Sequence, residues 1–214
     1  MLEFLQKGGF LMYPILLCSV TAVAIIVERF LVLRRASQDT RKFVLRVRSA
    51  IASRDLAGAV QVCRDDTSPL SAIVLAGLSR VSQGEEEVRR AISEAGEVQT
   101  ERLEKHVSIL ATIVGGAPLL GFLGTVLGMI EAFRQIEKLG GNVDASVLAG
   151  GIWQALLTTA AGLSVAVFTF FAHNLIVGRI RGIVHTMEND SEQIVHTLFQ
   201  GQNESVYTEH EVSP

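Results

Sequence analysis

The side chains of this chain best suited to handle a proton or an ion at membrane depth carry no charge. Gln154, Thr158 and Thr159 stand among Gly150, Gly151, Ala155, Ala160, Ala161 and Gly162. Gln154 and Thr158 are four apart, as are Ala155 and Thr159, so in a helix they make one polar, small-residue face. Thr125 is the one side-chain hydroxyl among Gly121, Gly124 and Gly128, which themselves recur at helical spacing. An amide or hydroxyl can hydrogen-bond a proton carrier but cannot hold the proton. No carboxylate sits mid-run beside them. If protons pass here, the titrating side chain belongs to another polypeptide. The structural alternative is that these threonines bond their own backbone or glue helices together.

Other chemistries find little support. His173 lies near the end of an apolar run, and His185 and His196 are too far apart on a helix to share a metal. Phosphate loops, Cys/His metal spacings and Ser-His-Asp sets are missing, so the expectation is no enzyme, no metal and no cofactor. Cys18 and Cys63 fall in different environments, which argues against a disulfide. The net charge of −3 implies no nucleic-acid partner.

The elements that must position the polar face are long and apolar. The stretch Val107–Ile130 is an uncharged run of 24 residues, Ala145–Gly178 is another, and Lys7 and Glu28 bound a third. About 20 such residues cross a bilayer, so these read as three spanning helices rather than the core of a soluble bundle. The expected spans are residues 10–33, 107–133 and 147–178. The glycines at 121, 124 and 128, and Gly162 in the third span, suit close helix packing better than contact with lipid. Pro118 removes a backbone donor where a kink can form.

Of the 19 Lys and Arg, 13 lie between Arg34 and Lys105, whereas the hairpin at 134–146 has only Arg134 and Lys138. The positive-inside rule then puts residues 34–106 in the cytoplasm, with the N-terminus outside and the C-terminus inside. Residues 1–9 read as a short outer segment, a small interfacial helix anchored by Leu2, Phe4 and Leu5. The first span reads as retained rather than as a signal peptide, because its positive region is a single Lys7. Glu28 and Arg29 read as an interfacial anchor whose long side chains reach the headgroups, with a functional charge as the alternative.

Within 34–106, Phe43, Val44, Val47 and Ile51, then Leu56, Val60 and Cys63, fall at helical intervals. Breaks are expected at Ser53-Arg54-Asp55 and at Thr67-Ser68-Pro69. Ser82 and Glu85 have the spacing of a capping box. No proline follows until Pro118, so the sequence predicts one helix from there to Phe133, roughly 70 Å long. Leu139-Gly140-Gly141-Asn142 is a turn signal. After the third span, Ile180, Ile183, Val184, Met187, Ile194, Val195 and Leu198 continue a helical stripe over 179–200, and 201–214 reads as a disordered tail.

APLLGFLGTVLGMIEAF (117–133) and GGIWQALLTTAAGLSVAV (150–167) closely resemble the MotA/TolQ/ExbB proton-channel family. GGFLMYPILLCSVTAVAIIVERFLVLRR and DLAGAVQVCRDDTSPLSAIVLAGL resemble its ExbB branch, so the likeness covers roughly residues 8–180. The resemblance implies an all-α, three-span protein of the bacterial inner membrane. It implies a homopentamer around a single-span ExbD- or TolR-like partner whose membrane Asp carries the proton. A TonB-like transducer would receive the work and drive outer-membrane uptake. Thr125 and Thr159 match the family's pore-facing threonines, with Thr158 and Gln154 beside them. Many relatives read IAEAL where this chain reads Ile152-Trp153-Gln154-Ala155-Leu156, so a titratable group is replaced by an amide. A TolQ-like envelope role, a gliding or flagellar drive, and a non-conducting scaffold for a single-span partner are the alternatives.

Overall fold

Local chemistry fixes most of the helix boundaries. The computed structural model describes residues 9–37, 40–138 and 145–210, with side chains outside the description at 145–148 and 201–210. The expected N-terminal interfacial helix, the turn at 139–142 and the last four residues lie outside the described part.

Seven α-helices are seen among the described residues: α1 Met12–Ala36, α2 Thr40–Ala52, α3 Leu56–Asp65, α4 Pro69–Leu78, α5 Glu85–Glu104, α6 Val107–Lys138 and α7 Ala145–His210. Helices α2 and α3 part at Arg54, whose φ is 56°. Asp55 then caps α3 by accepting from the Gly58 amide at 2.8 Å. Ser68 caps α4, accepting from the Ser71 amide at 3.2 Å, and Pro69 fills the first helical position, which has no use for an amide proton. Both breaks fall where the sequence puts them.

Other boundaries differ from expectation. Ser82 lies in a 3-10 turn, Val81–Gln83, and Gly84 caps α5 with no side-chain bond, so Ser82 and Glu85 form no capping box. The left-handed φ of 103° at Gly84 ends the turn and starts the helix, which is a task for glycine. Glu85, Glu86 and Glu87 still complement the dipole of its first turn. The single helix expected to reach Phe133 is broken at Lys105 and His106, where His106 has φ 64°. Pro118, by contrast, sits inside α6 without ending it. The last helix continues to His210, past the expected end at residue 200.

The chain divides into two compact units. One comprises Met1–Arg29 and His106–Val177; the other comprises Phe30–Lys105 and Gly178–Pro214. In the first unit, Ile15, Ala22, Ile25, Leu110, Ile113, Ala117, Ala155, Ala166 and Ile176 are buried. Its outward surface is apolar too: Leu17, Val20, Leu119, Phe122, Phe168, Phe171 and Leu175 are all exposed. A monomer in water rarely shows so large an apolar surface. Helices α1, α6 and α7 are each long and apolar enough to cross a membrane.

In the second unit, Phe43, Val44, Val47 and Ile51 of α2 are buried with Cys63, Leu70, Ile73, Val74 and Val88. Leu56 is exposed, and Ala59 takes the inward position instead. Of the stripe expected beyond the third span, Ile180, Met187, Ile194 and Val195 are buried. Ile183, Val184 and Leu198 are half-buried.

Candidate functional site: a glycine seam lined by hydroxyls

The polar face on α7 meets the glycines of α6 within the first unit. Gly121, Gly124 and Gly128 are buried along one side of α6, with Ala117 and Ala132 continuing the row. A β-carbon on Gly121 would lie 3.1 Å from the Thr158 carbonyl oxygen, and one on Gly128 would lie 2.8 Å from the Ala155 β-carbon. On the facing helix, a β-carbon on Gly162 would lie 2.5 Å from the Ala117 carbonyl oxygen, and one on Gly151 would lie 2.9 Å from the Ala132 β-carbon. The two backbones therefore approach as closely as small residues allow, and dispersion is gained along the row.

The two neighbouring threonines of α7 use their hydroxyls differently. Thr159 Oγ1 crosses the seam and donates to the Gly121 carbonyl at 2.8 Å. Thr158 is buried at 1% exposure and donates within its own helix, to the Ala155 carbonyl at 2.8 Å. Its side chain fills the volume beside Gly124. Thr125 is half-buried and donates to the Phe122 carbonyl at 2.6 Å, inside α6. Gln154 is half-buried, and its side-chain amide lies against Gly9. Gly9 has φ 68°, a left-handed backbone that favours glycine, and a β-carbon there would have to displace the end of the Gln154 side chain.

The structure thus brings Thr158 and Thr159 to the glycine seam and places Gln154 against the turn that precedes α1. Thr125 is not bonded to any of them; its proton is engaged by its own helix. Both readings of the threonines have a part in this. Thr158 and Thr125 bond their own backbone, and Thr159 joins two helices.

A second polar group lies where α1 meets the residue preceding α6. Glu28 Oε1 accepts from Arg29 at 2.7 Å, and Glu28 Oε2 lies 3.0 Å from His106 Nδ1. Arg29 is 3% exposed, so it is packed inside the protein instead of reaching outward as the anchor reading holds. His106 had no role in the sequence reading. Its signal is faint, a lone histidine just before an apolar run, and only its left-handed backbone and its distant partner mark it out.

Three apolar helices of spanning length, two of them joined by a seam of small residues, define a helical membrane protein. The model of the MotA/TolQ/ExbB proton channel family matches residues 65–189, more than half of the chain, and the chain belongs to that family. It is similar to the Synechocystis sp. biopolymer transport protein named ExbB-like 1, at 34% identity over 82% of this chain and 69% of that one. It is likewise similar to the Tol-Pal system protein TolQ of Haemophilus influenzae, at 30% identity over 84% of this chain and 83% of the relative. A shorter stretch of 59 residues is 51% identical to the biopolymer transport protein exbB1 of Vibrio cholerae, covering 27% of this chain and 26% of that one.

Proposed function

We propose that this chain is the multi-copy stator subunit of a proton-driven motor in the bacterial inner membrane, and that it energises TonB-dependent transport across the outer membrane. The observation that carries the reading is the chemistry of the α7 face. Gln154 and Thr159, both half-buried, supply an amide and a hydroxyl among small residues, and no acid accompanies them. Such a lining can solvate a carboxyl group in either protonation state without competing for its proton. The acid then comes from a single-span partner of ExbD or TolR type, enclosed by several copies of this chain, five by resemblance. Thr125 and Thr159 face that partner, and the basic residues of 34–106 lie on the cytoplasmic side.

Liposomes holding this chain and its single-span partner test the reading. Acid-driven proton uptake is expected with both subunits present, and should disappear when the partner's membrane Asp is replaced by Asn. Thr159→Val should keep the assembly and reduce flux. Flux that needs no partner acid, or that is untouched by Thr159→Val, rejects the pore assignment.

A second reading is favoured by the similarity to a Tol-Pal protein: the same motor serving envelope maintenance. Co-purification separates them, since the single-span partner and the transducer it engages differ between the two systems.

A further inference from the structure

The second unit carries two faces of opposite charge, and among the described residues no ion pair joins them. The first is the outward side of α2. Phe43, Val44, Val47 and Ile51 turn inward, which leaves Lys42, Leu45, Arg46 and Arg48 exposed. Helix α2 has four cations and no acid, and Leu45 is 66% exposed in their midst. The second face is a groove of about 510 Å³ between α5 and α7. Ile73, Ile92, Val184 and Met187 make it apolar, and no Lys or Arg lines it. Glu97, Glu101 and Glu104 stand along it from α5 and Glu188 from α7, all exposed. The three on α5 recur at four and three residues and so share one side of the helix.

An acidic row by itself selects no ligand; this groove matches the basic helix in charge, length and depth. Helix α2 has 13 residues, and the groove follows α5 from Ile92 to Glu104, the same length. Depth can be read along α7, which runs on from the third apolar span. Thr40, at the start of α2, shares a cavity with Thr186 and Asp190, and Arg41 acts on the Asp190 carboxylate. The groove lies against Val184, Met187, Glu188 and Ser191. Both faces therefore sit beside the same two turns of α7. Copies inserted in one orientation form a closed ring only about the membrane normal, and that rotation moves no residue up or down. Patches that meet between such copies must share a depth, as these do.

We infer that the basic face of α2 in one copy of this chain lies in the α5–α7 groove of the next copy. Lys42 and Arg46 then oppose Glu97 and Glu101, and Leu45 rests on the apolar lining. The inference rests on the multi-copy reading above and names the contact between copies. That contact is head-to-tail: each copy offers α2 to one neighbour and its groove to the other, and the ring closes with neither face left over. Exposed ion pairs add little strength singly. Their effect is on register and choice of neighbour, since a misplaced copy sets like charges together.

Cross-linking of the full-length chain in its membrane tests this, in a Cys18→Ser, Cys63→Ala background. A chain carrying both Arg46→Cys and Glu101→Cys, treated with a short bis-maleimide, should give a ladder of dimer, trimer and higher bands. Either cysteine alone should give none, because a head-to-tail contact never brings a residue to its own counterpart. Charge exchange is the second measurement. Lys42→Glu with Arg46→Glu should weaken association about tenfold or more, read as the dilution at which detergent-solubilised assemblies separate. Adding Glu97→Lys and Glu101→Lys to the same chain should restore it. If the charge-reversed chains fail to accumulate, the cross-linking ladder decides alone. An assembled protein that gives no ladder, or no recovery on charge exchange, overturns the proposal and leaves the motor reading standing. A wild type that is monomeric by mass overturns both. A cross-link to a different polypeptide gives the groove another occupant and overturns this one.

Discussion

The side chain of Thr158 occupies the space that a β-carbon on Gly124 would need, so the two residues fit only as this pair of sizes. The seam between α6 and α7 is made of such pairs, and its strength lies in shape more than in any one bond.

Gly124→Ala should therefore cost about 1–3 kcal/mol, as overpacking of a close-packed contact does. Gly115 on the same helix is the control, since a methyl there meets nothing within 4 Å. Melting of the two variants in detergent should separate them clearly, with Gly115→Ala unchanged or slightly more stable. Equal losses at both sites would mean that the seam is not the tight contact described.

Thr159 and Thr158 should respond differently to loss of the hydroxyl. Thr159→Val leaves the Gly121 carbonyl without its cross-helix donor, at a cost of about 0.6–1.7 kcal/mol within a membrane. Thr158→Val removes only a bond within one helix and should cost less. Melting temperature ranks the pair.

Burial pushes the Cys63 thiol up to about 11, from an ordinary 9.0. At neutral pH its thiolate population is then about a hundredfold below that of an ordinary thiol, before access is considered. In a Cys18→Ser background, maleimide should label the folded protein very slowly and the SDS-unfolded protein quickly. Rapid labelling of the folded form would contradict the burial of Cys63.

Asp190 has its carboxyl pushed up by burial, while Arg41 pulls it the other way. The folded state therefore disfavours the ionised form, and that penalty appears as pH rises through the folded-state value. Asp190→Asn should gain stability over the wild type at neutral pH and lose the advantage in acid. A pH-independent difference would argue that the aspartate is solvated.

The Arg89 guanidinium bridges Glu85 at 2.8 Å and Glu192 at 2.7 Å, yet all three side chains are largely exposed. Glu192→Gln should cost only about 0.2–1 kcal/mol, and less in high salt. A larger loss would show that this bridge is an organising contact of its unit.

What the sequence made legible was what short-range chemistry decides. Asp55 and Ser68 end one helix and begin the next with their own side chains, so both breaks could be placed from neighbouring residues. The glycine row on α6 was equally plain, because its spacing matches one helix face. The break at His106 was not, since its flanks propagate a helix well and its left-handed backbone is held by Glu28, a distant residue. Nor could spacing say which threonine reaches across. Thr158 and Thr159 are adjacent on one small-residue face, and only the packed geometry sends one hydroxyl to Gly121 and the other to its own helix. Arg29 misled for a similar reason: a terminal arginine near a membrane edge ordinarily extends outward, and here the fold encloses it.

Where a methyl group finds no room, a water molecule finds none either. Between Gly121 and Gly162 the two helices leave no file of waters along which a proton could hop, so this joint is leak-proof by its own closeness. A lone subunit idling in the membrane would not short-circuit the gradient through it. Any conduit must run along surfaces that the chain turns outward.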